Sequence, residues 1–265
     1  MSDYDLDAGP DPATFAAAEP ESDIDEAGDE PVYAVGIGPG NLEYLTPRGE
    51  RAIREADVIV GFTTVVEFVE ELTDEDTDLL TCGYKDEAAA LEEFGERVAA
   101  GESGTAVAMG DPNHSGYQFV GKVQDAVQRE DPQIPVRIVP GISSLQVAAS
   151  RARTPMEDTE FVTLHKSGDL EADMERLAAA VTDDERHLLA LPRPYDRMPG
   201  DIAEFLLERG ADPDLEALVL EKLTHDEERI HRFTLADLSE HAGGTGREDT
   251  PFSDLVVLAV RQSVS

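Results

Sequence analysis

Short apolar runs alternate with amphipathic helical segments from residue 32 to residue 260, and this alternation limits the fold more than any other feature. Val32–Val35 has the length and composition of a buried strand, whereas residues 87–100 place Leu91 and Phe94 on one helical face. Strands separated by helices usually pair in parallel, because a parallel connection has to cross over the sheet. The sequence therefore predicts an α/β protein with largely parallel sheets.

The length of 265 residues is sufficient for two α/β units. Residues 152–158, with Pro155 at their centre, form the best linker between the two units. We therefore expect an N-terminal α/β domain over residues 32–152 and a C-terminal α/β domain over residues 153–265. Residues 1–31 hold eleven acidic and no basic side chains without apolar periodicity, so they are expected to form a disordered acidic tail.

The formal net charge is −37, and 26 of the excess negative charges lie outside the tail. This charge excludes a general nucleic-acid-binding surface, which needs Lys and Arg to neutralise phosphates, and it argues against an anionic membrane as partner. Only four of the 21 basic residues are Lys. An acidic body poor in Lys is expected of a halophilic protein, since molar salt shortens the Debye length to about 3 Å and screens the repulsion. The alternative is an ordinary acidic protein in low salt.

The cysteine content limits the metal chemistry, and the lengths of the apolar runs indicate the cellular compartment. Cys82 is the only cysteine, so an intrachain disulfide and a zinc cluster built from cysteines are excluded, and no protein-bound metal is expected. The N-terminus has neither the basic start nor the apolar stretch of a signal peptide. Apolar runs such as Leu255–Val260 are too short to cross a bilayer. We therefore expect a cytoplasmic protein with no membrane partner.

The first of three glycine-containing loops follows the first predicted strand, where ligands bind in open α/β sheets. Gly36–Asn41 reads Gly-Ile-Gly-Pro-Gly-Asn. It is not a dinucleotide fingerprint, because Asn41 stands where the third glycine would be, and no Gly-Lys-Ser/Thr follows to make a P-loop. The loop is either a close-approach site for a ligand or a plain turn between strand and helix.

The second and third loops add polar side chains at the ends of two further predicted strands. Gly110–His114 contains Asp111 before Pro112, which favours an extended backbone at Asp111 and leaves its carboxylate free to accept hydrogen bonds from a ligand. The alternative for this loop is an Asx turn. Pro140–Ser144 places the hydroxyl groups of two serines at a helix N-terminus, where they can contact a polar ligand. The alternative is that one of them is simply the N-cap of the helix.

In this order the three loops resemble the tetrapyrrole (corrin/porphyrin) methyltransferase family, which carries G-x-G-P-G, then G-D-P, then P-G-x-S/T-S/A. The resemblance covers residues 32–262. It implies two α/β domains of the tetrapyrrole methylase type, with S-adenosyl-L-methionine (SAM) bound in the cleft between them. It also implies a homodimer.

Three later segments are similar to the branch of the family that methylates carbon 5 of cobalt-precorrin-7 in cobalamin biosynthesis. Lys166-Ser167, Lys222 and Asp226 depart from the pattern of that branch. The alternatives are another corrin C-methyltransferase, diphthine synthase, or a non-catalytic SAM-binding scaffold. We expect a separate protein to supply the pathway's methylation of carbon 15 and its decarboxylation. The similar segments are 142–146, 161–165 and 220–230.

The resemblance also implies residue roles. Two second-half leucines are expected to contact SAM through their backbone, with core packing as the alternative. A polycarboxylate substrate would be repelled by this chain unless basic groups gather locally, and Arg pairs carboxylates bidentately. No residue is expected to act as a nucleophile, and the sequence names no catalytic base. The expected SAM contacts are Pro39, Gly110, Asp111, His114, Ser143, Ser144, Leu191 and Leu223, and the expected substrate contacts are Arg151, Arg153, His165, Lys166, Arg193 and Arg197.

Overall fold

A computed structural model describes residues 12–17, 31–83, 85–114, 116–166, 168–243 and 246–262. The chain divides into two compact units, Met1–Ser143 and Ser144–Ser265. Each unit has a five-stranded sheet with helices packed on it, so the prediction of an α/β protein with two such units is confirmed.

The first unit has a wholly parallel sheet in the order β3-β2-β4-β1-β5. Its strands are β1 (Val32–Gly36), β2 (Val58–Phe62), β3 (Asp78–Cys82), β4 (Gly104–Ala108) and β5 (Val136–Val139). Its helices are α1 (Pro12–Ala16), α2 (Pro47–Arg54), α3 (Thr63–Val69), α4 (Glu87–Ala99) and α5 (Tyr117–Glu130).

Both faces of this first sheet are covered, which explains why its strands are apolar without alternation. Val58 and Val60 pack with Phe94 on one face, and Ile59, which points the other way, packs with Ile53 on the opposite face. All five of these side chains are fully buried. The sheet is therefore a rigid platform whose variable parts are the loops at its carboxyl edge.

The second unit has a mixed sheet in the order β6-β7-β10-β8-β9. Among the neighbouring strands described, β6 and β7 form the parallel pair, whereas β10 runs antiparallel to its neighbours β7 and β8, and β9 runs antiparallel to β8. Its strands are β6 (Thr159–Thr163), β7 (His187–Leu191), β8 (Glu216–Glu221), β9 (Arg229–Thr234) and β10 (Val256–Arg261). Its helices are α6 (Ser144–Ala152), α7 (Glu171–Thr182), α8 (Pro199–Glu208) and α9 (Leu235–Ser239).

The prediction of largely parallel sheets was wrong for the second unit. The connection over residues 222–228 between β8 and β9 is too short to cross the sheet, so the two strands pair as an antiparallel hairpin. The final strand then enters the sheet between β7 and β8 rather than at an edge.

The unit boundary lies at Ser143–Ser144 rather than near residue 152. The difference is the nine-residue helix α6, which packs against β7 and β10 of the second unit. Burial of Leu145 and Ala148 on that packed face places the helix with the second unit.

Of the expected acidic tail, residues 12–17 and residue 31 are among those described. There, α1 forms a short helix, and the ring of Phe15 lies 5.7 Å from the ring of Tyr117 at the start of α5. The rest of the tail lies outside the described residues, where disorder stays a prediction. Within the described ranges, no helix combines the length and apolarity needed to span a bilayer.

Candidate functional site

The three predicted loops meet at the carboxyl edge of the first sheet. They follow β1, β4 and β5, which are neighbours in the sheet and run in the same direction. The amide of Gly38 donates to the carbonyl of Gly110 at 3.2 Å, and the amide of Gly110 donates back to the carbonyl of Gly38 at 2.9 Å. The first two loops are therefore joined by a pair of backbone hydrogen bonds, as expected for a ligand site of this fold class.

Glycines allow these loops to pack backbone against backbone. A Cβ atom on Gly36 would lie 2.5 Å from the carbonyl oxygen of Gly110, and one on Gly141 would lie 2.0 Å from the same oxygen. Gly110 itself has a φ of +65°, which L-residues rarely adopt. Glycine is thus required at all three positions, and the result is a close packing of the three loops backbone against backbone, with Gly36 and Gly141 buried.

Asp111 forms an Asx turn, which is the alternative that the sequence allows for this loop. Its Oδ1 accepts hydrogen bonds from the amide of Asn113 at 2.8 Å and from the Asn113 side chain at 3.1 Å. Its carbonyl accepts from the amide of His114 at 2.9 Å. The turn fixes the carboxylate through one oxygen, and Oδ2 accepts no hydrogen bond from the residues that the structure describes. The turn and the ligand contact are therefore compatible, because each uses a different oxygen.

His114 joins the second loop to the third. Its Nδ1 lies 2.8 Å from Oγ of Ser143, within hydrogen-bond distance. Burial lowers the pKa of His114, against the opposing charge of Asp111, so the ring is neutral at pH 7. Ser143 is 7% exposed and is thereby held against the ring. The structure thus joins His114 to Ser143, places Pro39 buried next to Gly38 in the first loop, and makes Ser144, which follows Ser143, the first residue of α6.

Leu191 is the last residue of β7, and Leu223 lies in the loop that follows β8. Because β7 and β8 both run antiparallel to β10, their carboxyl ends lie at the same edge of the second sheet. The carbonyl of Leu191 accepts from the amide of Leu164 at 2.8 Å, and Leu223 is 5% exposed in the loop after β8. Core packing therefore accounts for the Leu223 side chain, and the SAM contacts of both residues stay predictions about their backbone.

Three of the predicted substrate contacts gather in the second unit. Lys166 pairs with Asp173 at 2.7 Å, and Arg193 and Arg197 both pair with Asp196. Arg193 also donates to the carbonyl of Gly168 at 3.0 Å. Arg193 and Arg197 line a cavity of about 270 Å³. A substrate carboxylate would have to displace an acidic side chain to reach these cations.

The other three predicted substrate contacts share no ion pair with Lys166, Arg193 or Arg197 among the described residues. Arg151 at the end of α6 is paired with Glu228, whereas Arg153, just beyond that helix, makes no ion pair with any residue that the structure describes. His165 is exposed in the loop after β6. Glu228 was not among the predicted site residues, although it lies in the segment over residues 220–230 that carries part of the resemblance.

Comparison with known proteins shows the family. The model of the family described as Tetrapyrrole (Corrin/Porphyrin) Methylases matches residues 31–239. The chain therefore belongs to this family of SAM-dependent methyltransferases.

A relative from Methanocaldococcus jannaschii, described as a probable cobalt-precorrin-7 C(5)-methyltransferase, is 31% identical over 214 residues, which cover 80% of this chain and 92% of the relative. Several other curated relatives are longer, and the chain spans about half of their length.

Two solved structures agree with the fold. The methyltransferase CobJ has a TM-score of 0.70 at 23% identity, covering 89% of this chain and 95% of that one. The uroporphyrin-III C-methyltransferase of Thermus thermophilus, solved with S-adenosylhomocysteine, has a TM-score of 0.61 at 22% identity, covering 87% of this chain and 92% of that one.

Proposed function

We propose that this chain is a SAM-dependent C-methyltransferase that methylates carbon 5 of cobalt-precorrin-7 in cobalamin biosynthesis. The observation that carries the proposal is its 31% identity to the Methanocaldococcus jannaschii relative, over 92% of that protein's length. The three joined loops of the first unit support the SAM-dependent part of the proposal, because they form one backbone surface beside a fixed carboxylate.

The residues at the carboxyl edge of the first sheet fit SAM in charge. Gly36 and Gly141 let the three loops pack together, and a Cβ atom on the partly exposed Gly110 would meet nothing nearer than 4.0 Å, which leaves room beside it for a ligand. The sulfonium and ammonium groups give SAM a net positive charge, which the Asp111 carboxylate and the strongly acidic chain attract. When bound, SAM supplies an electrophilic methyl group that a nucleophilic ring carbon takes up, leaving S-adenosylhomocysteine.

The work of the protein in this reaction is binding and orientation. Asp111 holds a polar or cationic group of the ligand through Oδ2, because Oδ1 is fixed by its own turn. His114 and Ser143 keep the second and third loops in register through their 2.8 Å contact. Holding two reactants in the productive geometry accelerates a bimolecular reaction without a protein nucleophile.

The substrate carboxylates are expected to meet basic side chains of the second unit. We expect Arg153→Gln to raise the substrate KM about tenfold and to leave the Kd of SAM unchanged, because Arg153 is the exposed cation without an ion pair in the described part of this group. Steady-state kinetics with calorimetry of SAM binding measure both. Arg129→Gln is the matched control, since Arg129 is exposed in the last turn of α5, at the end of that helix that lies away from the Gly110–His114 loop. An unchanged substrate KM in Arg153→Gln would remove this residue from the proposed carboxylate contacts.

The proposal is tested by incubating the protein with SAM and purified cobalt-precorrin-7 in high salt. We expect S-adenosylhomocysteine to form only when both substrates are present, with the corrinoid gaining the mass of one methyl group. Turnover on a different corrin precursor alone would show that the protein is another corrin C-methyltransferase of the family. Turnover on a diphthine precursor would show that it is a diphthine synthase. Tight SAM binding with no turnover on any of them would support a non-catalytic scaffold.

Three further proposals rest on charge and resemblance. The chain works in a halophile's cytoplasm, it acts as a homodimer, and a separate protein supplies the methylation at carbon 15. The acidic composition, at −37, supports the first of these. Sedimentation in high salt tests the second.

A further inference from the structure

The loop after β8 has an unusual backbone around Leu223. Lys222 has a φ of 48° and Thr224 has a φ of 72°, so both residues beside Leu223 are in the left-handed region. Residues other than glycine are uncommon there, and a β-branched residue such as Thr is a clear outlier. Such a conformation persists only where surrounding contacts impose it.

One carboxylate binds the backbone of this loop. Oε2 of Glu228 accepts a hydrogen bond from the amide of Thr224 at 2.7 Å, which fixes the strained residue. The guanidinium of Arg151 binds the same carboxylate with both ends of its fork, Nε to Oε1 at 2.7 Å and Nη2 to Oε2 at 3.3 Å. The pair thereby ties the loop to helix α6 of the same unit.

The environment favours a charged pair. The Arg151 and Glu228 side chains are 34% and 22% exposed, so the pair is partly withdrawn from solvent. The hydrogen bond from Arg151 lowers the pKa of Glu228, which keeps its carboxylate ionised at neutral pH. The loop also closes on itself, since the amide of His225 donates to the carbonyl of Lys222 at 3.0 Å and the amide of Glu228 to the carbonyl of His225 at 2.9 Å.

We infer that Arg151 and Glu228 are positioning residues that hold the backbone of Leu223 in its SAM-contacting conformation. That SAM is the ligand rests on the proposed function, whereas the conformation of the loop does not. Arg151 is consequently committed to Glu228 and is not available to a substrate carboxylate. This Arg151–Glu228 clamp also gives a role to Glu228 of the segment over residues 220–230, because its carboxylate binds the loop.

The test combines hydrogen exchange with SAM binding. In Arg151→Gln we expect amide exchange in the peptide over residues 222–228 to accelerate about tenfold, and the Kd and KM of SAM to rise about tenfold with kcat nearly unchanged. Arg151→Lys keeps the charge without the fork and should fall between Arg151→Gln and the native protein. Glu228→Gln should match Arg151→Gln, and the double variant should be no worse than either single one.

Arg209→Gln is the matched control, because Arg209 pairs with Glu175 in the same unit away from this loop. It should change neither exchange in residues 222–228 nor SAM binding. Native exchange and native SAM affinity in both Arg151→Gln and Glu228→Gln would overturn the inference. Failure of the native protein to bind SAM would contradict the proposed function instead, and hydrogen exchange would still decide whether the clamp holds the loop. If Arg151→Gln does not fold, Arg151→Lys and Glu228→Gln carry the test.

Discussion

Gly141→Ala is expected to abolish measurable SAM binding, with a rise in Kd of at least about 100-fold, equivalent to about 3 kcal/mol. The new Cβ would lie 2.0 Å from the carbonyl oxygen of Gly110 and 2.7 Å from the carbonyl of Gly36. All of these atoms belong to the backbone, so no side chain can rotate away to make room. The three loops would have to separate, and the proposed SAM site would be disrupted.

The same change should lower the free energy of unfolding by about 1–3 kcal/mol, because it overpacks a close backbone contact. Thermal unfolding and calorimetry of SAM binding measure the two effects separately. Gly83→Ala is the matched control at the end of β3, since the nearest atom to its new Cβ is Oδ1 of Asp86 at 3.5 Å, an ordinary contact distance. Native SAM affinity in Gly141→Ala would show that the joined loops are not the binding surface.

Asp111→Asn is expected to raise the Kd of SAM by roughly 10- to 100-fold with little change in stability, because a hydrogen bond to a charged group is worth about 1.5–3 kcal/mol. The amide oxygen of Asn can still accept from the amide of Asn113, so the turn is retained. The substitution removes only the negative charge and one acceptor facing the ligand. Calorimetry gives the affinity, and thermal unfolding checks that the turn survives.

Asp131→Asn separates the loss of charge from the loss of the contact. Asp131 makes the same kind of turn in the same unit, with Oδ1 accepting from the amide of Gln133 at 2.9 Å, but it follows α5 rather than a strand of the site. The control removes an equal charge from the chain, so its SAM affinity should stay native. Equal losses of affinity in the two variants would mean that overall charge, not the Asp111 contact, attracts the ligand.

Features set by neighbouring residues could be predicted from the sequence. Thr46 followed by Pro47 is the sequence pattern of a helix start, and in the structure Oγ1 of Thr46 caps α2 by accepting from the amide of Gly49 at 3.1 Å. The three loops were predicted as a group because each follows a strand, and parallel strands present their carboxyl ends at one edge. The loop sequence also allowed for the Asx turn of Asp111, because that turn depends only on residues 111–114.

Features set by distant residues could not be predicted. The pairing of Arg151 with Glu228 joins positions 77 residues apart, and no local pattern marks one as the partner of the other. The insertion of β10 between β7 and β8 is likewise a choice among strand orders that a single sequence leaves open. The helix α3 was missed because its valines, including Val65 and Val66, favour strands intrinsically, and burial against the sheet overrides that preference.

Transfer of a carbon-13-labelled methyl group from SAM to cobalt-precorrin-7 would establish the proposed activity. The reaction is run with the purified protein in high salt, and nuclear magnetic resonance of the product locates the labelled carbon. We predict a single new methyl group on carbon 5 of the macrocycle. A label on another ring carbon, or a protein that binds SAM yet transfers no label to this corrinoid, would contradict it.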